Sequence, residues 1–225
     1  INRIVADHVS DLLFAPNEAA RRLLLGEGIP DAKIDVVGDV MFDAALRFAG
    51  TPSAGLSRLM SIGVRAGEYV LATVHRAENT DSRERLAGIL DGFAGAGEAI
   101  VLPLHPRTKS KLADFGLSTP ANVKVIERVG FIAMLQLERN SRCVVTDSGG
   151  VQKEAFFFRK PCVTLRDETE WTELVESGWN RLVGCDPERI TRALRDCVVP
   201  SEWPRLYGDG DAGRKIVAAI RALGA

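Results

Sequence analysis

The sequence has no surplus of basic residues: 29 Lys and Arg stand against 30 Asp and Glu, a formal net charge of −1. That balance argues against nucleic acid as a partner, because neutralising a phosphate backbone needs a basic face. No apolar run approaches the ~20 residues needed to cross a bilayer, so no membrane partner is expected. Cysteine is sparse. Cys143, Cys162, Cys185 and Cys197 are the whole set, and none shows C-x-x-C spacing, so neither a zinc site nor a disulfide framework is expected. Cys143 and Cys162 fall in apparent core strands, and the four read as free thiols of a reducing compartment, the cytoplasm. Internal repeats and low-complexity tracts are absent. A sequence that opens at Ile1 with no signal or transit pattern is expected to be a fragment of a longer protein, with a short natural form as the alternative.

What is present is a core-forming chain of 225 residues with 46% hydrophobic content. Short apolar runs predict strands over residues 12–15, 34–37, 69–74, 99–103, 123–126, 142–146, 162–165 and 181–183. Helical patterns lie over 17–25, 39–48, 82–94, 106–115, 132–140, 151–158 and 187–197. Alternation of strand and helix predicts an α/β fold, a Rossmann-like parallel sheet with helices on both faces. A linker is expected at Pro52-Ser53-Ala54-Gly55. A last helix over 212–223 follows the glycine-rich turn Gly208-Asp209-Gly210.

The strongest local signal is Val144-Val145-Thr146-Asp147-Ser148-Gly149-Gly150-Val151-Gln152-Lys153-Glu154-Ala155. An apolar strand runs into a Ser-Gly-Gly turn and then a helix. Ser148, Gly149 and Gly150 are the materials of an anion site, since glycine admits close backbone approach and helix-start amides lack intrahelical acceptors. Glu154, one turn further in, is placed to accept hydrogen bonds from hydroxyls beside a bound anion. A sugar nucleotide offers phosphate and ribose together. The plainer alternative is a tight strand-helix connection without a ligand.

A second strand, over 70–74, ends in His75-Arg76-Ala77-Glu78-Asn79. The C-terminal ends of strands in an open α/β sheet are where ligands bind. His75 can donate to a phosphate oxygen or move a proton; the alternative is a structural histidine with Arg76 paired to Glu78. His105, between Pro103 and Pro106 at another strand end, is a positioning residue or a surface histidine in a rigid turn. Phe131 and Met134, where a strand hands over to a helix, are candidates for apolar contact with a ligand, or core.

Taken in order, Asn2-Arg3, Asp7-His8-Val9-Ser10-Asp11, Val37-Gly38-Asp39, Thr73-Val74-His75-Arg76-Ala77-Glu78-Asn79, Pro103-Leu104-His105-Pro106, Thr146-Asp147-Ser148-Gly149-Gly150-Val151-Gln152-Lys153-Glu154, Arg166-Asp167-Glu168-Thr169-Glu170 and Tyr207-Gly208-Asp209-Gly210 run nearly the length of the chain. Together they resemble the non-hydrolysing UDP-N-acetylglucosamine 2-epimerase family. The resemblance implies the C-terminal half of a glycosyltransferase-B-like two-domain fold. Residues 1–45 would be the remnant of the N-terminal domain and crossover, 46–206 the nucleotide-binding domain, and 207–225 a tail helix packing back toward the first domain.

The resemblance further implies that UDP leaves the sugar, giving a glycal, and is added back after protonation of the opposite face of C2. It places Ser148, Gly149 and Gly150 on phosphate, His75 as the catalytic residue on the phosphate side, Arg76 near it, Glu154 on ribose, and the loop of Phe131 and Met134 on the base. The acid/base carboxylates would come from an upstream segment that this sequence does not contain. It implies a homodimeric parent, a UDP-sugar substrate, and neither metal nor redox cofactor. One departure stands out. Many members carry Thr-Glu-Arg-Pro-Glu where this chain has Thr169-Glu170-Trp171-Thr172-Glu173, so the arginine that contacts phosphate falls on Trp171. Arg166, Arg76 or helix-end amides would then meet that charge. A glycosyltransferase of the same architecture and a non-catalytic nucleotide-sugar module are the rival readings.

Overall fold

The apolar runs assemble into parallel strands. The structure, a computed structural model, describes residues 1–51, 59 and 61–223; the expected linker at 52–55 lies outside them. Contacts divide the chain into two compact units, Ile1–Arg47 with Pro204–Ala225, and Phe48–Trp203.

The first unit holds α1 (Asn2–Val9), β1 (Leu13–Ala15), α2 (Glu18–Gly26), a short 3-10 turn (Asp31–Lys33), β2 (Ile34–Val36) and α3 (Val40–Phe48), the last running one residue past the boundary. β1 and β2 pair in parallel. The unit also takes in the C-terminal helix, which is α11 (Ala212–Leu223) in the numbering used here. The Asp43 carboxylate accepts the amides of Ala212 and Gly213 at 3.2 and 2.7 Å, satisfying donors that the first turn of α11 leaves open. Gly38 is required where it stands: its φ is +95°, and a Cβ there would lie 3.0 Å from the Tyr207 carbonyl.

The second unit is a six-stranded sheet, all parallel: β3 (Val70–Thr73), β4 (Ile100–Leu104), β5 (Val123–Glu127), β6 (Cys143–Thr146), β7 (Cys162–Thr164) and β8 (Asn180–Leu182). Its spatial order is β5-β4-β3-β6-β7-β8. The connecting helices are α4 (Ala77–Thr80), α5 (Arg83–Ala96), α6 (Pro106–Asp114), α7 (Phe131–Asn140), α8 (Gly149–Phe157), α9 (Thr172–Glu176) and α10 (Pro187–Arg195). Two apolar clusters, one on each face of the sheet, carry its stability. Val70, Ala72 and Val145 belong to one, and Leu71, Val101 and Val144 to the other. That is why the central strands read as unbroken apolar runs. Burying one such side chain contributes about 1.5–3 kcal/mol.

Helices α5 and α10 approach closely. A Cβ on Gly92 would lie 2.6 Å from the Ile190 Cβ, and one on Gly88 would lie 2.5 Å from the Cys185 carbonyl oxygen. Thr191 donates to the Gly92 carbonyl at 3.2 Å.

Every expected strand is found to within about a residue. Three helices were not expected: α1, whose residues are all at least partly exposed, and the short α4 and α9. The Ser-Gly-Gly turn also differs from expectation. Ser148 is the N-cap and its hydroxyl accepts the Val151 amide at 3.5 Å, so both glycines already belong to α8. All four cysteines are free thiols, Cys143 and Cys162 buried, Cys185 and Cys197 half-buried.

Candidate functional site

β3 and β6 lie side by side at the centre of the sheet, yet the chain winds outward from β3 through β4 to β5 and from β6 through β7 to β8. This is a topological switch point, where the loops leaving two neighbouring strands part in opposite directions and open a crevice. The register pairs Thr73 with Thr146, so the residues just beyond each, Val74-His75-Arg76 and Asp147-Ser148-Gly149, meet at that crevice.

Asp147 holds the two loops together. Its fully buried carboxylate accepts the His75 amide at 3.1 and 3.0 Å, the Arg76 amide at 3.0 Å and the Asn79 side-chain amide at 3.2 Å. Asn79 also donates to the Leu165 carbonyl at 2.9 Å, extending the tie to the end of β7. His75 Nδ1 stands 3.4 Å from the same carboxylate, with the ring about 39% exposed, enough to face a ligand. The Thr73 and Thr146 hydroxyls bond to each other beneath this cluster.

The first turn of α8 forms the second wall. The Gly149 and Gly150 amides have no intrahelical acceptor. A Cβ on Gly150 would meet only open space, the nearest atom being 4.0 Å away, whereas one on Gly149 would lie 2.6 Å from a Glu170 carboxylate oxygen. The Trp171 indole donates to the Gly149 carbonyl at 2.9 Å. Gln152, fully buried, donates to the Ser148 carbonyl at 3.3 Å while its own carbonyl accepts from Thr169 at 2.8 Å and Asn180 at 3.0 Å. The loop after β7 is thus fastened to the glycine turn at several points. Trp171 acts here as a brace for that turn.

A cavity of about 170 Å³ lies beside His75, lined by Thr73, Val74, His75, Pro103, His105, Arg128, Val129, Met134 and Val151. Whole small-molecule sites enclose ~300–1,000 Å³, so this space suits one ring of a ligand. Its walls are mostly apolar, with two histidines and an arginine at the rim. A larger depression of about 490 Å³, lined by Pro187, Glu188, Thr191, Arg192, Arg195 and Asp196, is drawn from α10 and its C-terminal end alone and shares no residue with the crevice. Among the described residues no group of three or more His, Cys, Asp or Glu side chains is placed to hold a metal ion.

The structure brings His75, His105 and Met134 to the cavity, and Ser148, Gly149 and Gly150 to its flank. The His75 and His105 rings are 5.5 Å apart. His105 Nδ1 accepts the Arg107 amide at 3.2 Å as the N-cap of α6, which leaves the proton on Nε2. Burial, and after it the neighbouring His75, Arg128 and Arg107, hold the His105 imidazole below its usual range. Arg76 does not pair with Glu78, which bonds instead to Arg85. The Arg76 charge acts on Glu170. Arg166 is buried and ion-paired with Glu170 at 2.7 Å, so its charge is already balanced. Phe131 is 44% exposed and outside the cavity lining. Glu154 is half-buried on α8, beside the fully buried Glu138 of α7.

The model of the family described as UDP-N-acetylglucosamine 2-epimerase matches residues 1–221. The chain belongs to that family. A protein of Methanococcus maripaludis named UDP-N-acetylglucosamine 2-epimerase homolog is 42% identical over 99% of this chain and 64% of its own length. The UDP-2,3-diacetamido-2,3-dideoxy-D-glucuronate 2-epimerase of Pseudomonas aeruginosa is 44% identical over 99% of this chain and 63% of its own. The crystal structure of the Methanocaldococcus jannaschii UDP-GlcNAc 2-epimerase, in complex with UDP-GlcNAc and UDP, superposes with a TM-score of 0.86 at 39% identity, covering 98% of this chain and 64% of that one. The chain therefore spans somewhat under two thirds of the relatives it matches. Its Rossmann-like parallel sheet, with helices on both faces, is the glycosyltransferase-B-like architecture of that relative.

The roles of several residues at this crevice follow from the fold and not from the local sequence. Asp147 and Asn79 sit inside recognisable motifs, but their part in joining two strand ends depends on register. Arg128 and Val129 enter the cavity from the loop after β5. Glu170 and Trp171 reach the glycine turn across about twenty residues of chain. Glu138 lies within an ordinary helical pattern.

Proposed function

We propose that this chain is the UDP-binding part of a UDP-N-acetylglucosamine 2-epimerase, an isomerase that interconverts UDP-GlcNAc and UDP-ManNAc by elimination and re-addition of UDP. The observation that carries this reading is the Asp147 tie. It sets His75 and Arg76 against the first turn of α8, next to an apolar cavity sized for a single ring. The UDP-GlcNAc and UDP bound by the M. jannaschii relative support the same ligand here.

In this reading the base enters the cavity against Met134 and Val151, with the Val129 backbone alongside. The diphosphate rests on the amides of Gly149 and Gly150, with the Ser148 hydroxyl, Arg76 and His75 around it. Those groups stabilise charge on the departing UDP, which is where preorganised donors act in an elimination. Arg166 serves indirectly, by holding Glu170 at the edge of the turn. Glu154 accepts from the ribose hydroxyls. Acid/base groups at C2 of the sugar would come from residues outside this chain, and the parent would be a homodimer in the cytoplasm, a compartment that suits four free thiols.

The P. aeruginosa relative favours a second substrate of the same kind, since its named sugar differs in its C3 and C6 substituents while sharing the UDP end. Incubating the full-length parent with UDP-GlcNAc, and separately with UDP-2,3-diacetamido-2,3-dideoxy-D-glucuronate, tests this. The C2 epimer is expected from one of them. A sugar transferred to an acceptor, or no reaction with either, would overturn the assignment in favour of a glycosyltransferase or a binding module.

A further inference from the structure

Glu138 is fully buried, and neither of its carboxylate oxygens meets a donor. Its neighbour in hydrogen-bonding reach is another acid, Glu154. Two carboxylates cannot share a low-dielectric site unless one of them carries a proton.

The placement follows from two packed helices with matching faces. Met134 of α7 and Val151 of α8 both line the cavity beside His75 and belong to one apolar cluster. Glu138 lies four residues beyond Met134 and Glu154 three beyond Val151, so each acid sits one turn below a cavity-lining residue on the same face of its helix. Helical side chains lean toward the N-terminus, here the end that bears the glycine turn and the cavity. Glu154, half-buried, is the member of the pair that can reach a ligand; Glu138 is the member sealed behind it.

We propose that Glu138 is a positioning residue: as a neutral acid it donates a hydrogen bond to the Glu154 carboxylate, fixing that carboxylate as an acceptor for the ribose diol of the nucleotide. The proposal rests on the assignment of Glu154 to ribose. It gives the buried acid a partner, leaves a single negative charge on the pair, and places that charge on the ligand side. Burial first, and then the charge of Glu154, hold the Glu138 carboxyl well above the usual glutamate range. The other titratable groups that face it among the described residues are neutral near pH 7. The Tyr69 hydroxyl is pushed far up by burial and by Glu138, and donates to the Leu137 carbonyl at 2.6 Å. The Cys162 thiol is pushed up to about 12, mainly by burial.

The test is calorimetric titration of the 225-residue chain with UDP and with 2′-deoxy-UDP. The unaltered chain is expected to prefer UDP by about tenfold or more, the range for a hydrogen bond to a charged group. Glu138→Leu, which fills the buried space, should erase that preference by weakening UDP binding while leaving 2′-deoxy-UDP affinity where it was. Glu138→Gln, whose amide can still donate, should restore it. The preference should also decline at alkaline pH in the unaltered chain and stay flat in Glu138→Gln. A preference retained in Glu138→Leu overturns the proposal and leaves the nucleotide site standing, and so does an equal loss of both ligands, which marks a structural role. Equal affinity of the unaltered chain for both ligands removes Glu154 from the ribose and the proposal with it. Absence of any UDP binding by the unaltered chain overturns the site assignment itself.

Discussion

The Asp147 carboxylate takes the backbone amides of His75 and Arg76 at 3.0–3.1 Å, so one buried acid from the end of β6 fixes where the loop after β3 begins. Asp147→Asn keeps the shape but turns a donor toward donors. Leaving such a buried group mispaired costs about 1–3 kcal/mol, and His75 would lose its fixed start. The variant is expected to melt several degrees lower, at about 2–4 °C per kcal/mol for a unit of this size, and to bind UDP at least about tenfold more weakly. Thermal denaturation and calorimetry read the two effects, and wild-type behaviour in both would remove Asp147 from its role.

Gly150 separates stability from binding. Its missing Cβ faces open space, so Gly150→Ala should leave the fold intact and gain up to about 0.5–1 kcal/mol from the helix preference of alanine. The same methyl group would stand where the diphosphate approaches the backbone. Urea unfolding should show an unchanged or raised midpoint, and calorimetry a loss of UDP affinity. Undiminished affinity would mean that the phosphates lie elsewhere.

His105 makes stability fall on mild acidification. Burial and then His75, Arg128 and Arg107 lower its pKa in the folded state. The unfolded chain therefore binds more protons once the pH drops below the ordinary histidine value of 6.5. Stability is full above that value and is lost as the pH falls toward the folded-state value, below which the loss is constant. His105→Asn retains a good helix cap and removes the titration. Its unfolding free energy, followed by urea titration between pH 8 and 5, should decline less than that of the unaltered chain. Parallel curves would show that the imidazole is not disfavoured as a cation.

The 225-residue chain alone should bind UDP and not epimerise. The carboxylates at its crevice are already engaged: Asp147 by backbone amides, Glu170 by Arg166, Glu154 by its pairing with Glu138. General acid/base groups contribute about 10²–10⁴-fold each, and these three carboxylates are not available at C2. An NMR assay for deuterium entering C2 of UDP-GlcNAc should stay blank, and turnover by the purified chain would show that acids within it suffice.

The central strands β3, β4, β6 and β7 were legible because each is a short, mainly apolar run whose side chains are needed on a buried sheet. The motif ends of β3 and β6 were legible for a related reason, since polar and glycine residues that interrupt a core strand mark where it stops. What the sequence withheld depends on distance across the fold. That Asp147 meets His75 follows from the Thr73–Thr146 register, which no local pattern encodes. That Arg166 is already balanced follows from Glu170 folding back one helical turn's length along a loop. Trp171, conspicuous as a departure from the family pattern, proves to hold the Gly149 carbonyl.

The close seam between α5 and α10 has a consequence for how the chain comes to be folded. Thr191 reaches the Gly92 carbonyl and Arg195 the Gly95 carbonyl, pairs separated by 99 and 100 residues. At about 5–20 residues per second, synthesis leaves the glycine face of α5 waiting roughly 5–20 s for its cover to emerge. During that interval β3, β4 and β6 can pair while one of their layers stays bare, so the ribosome-bound chain exposes apolar surface until α10 emerges. Chaperone capture would concentrate in that window, and substitutions that loosen the seam would lower yield in the cell before they changed affinity for any ligand.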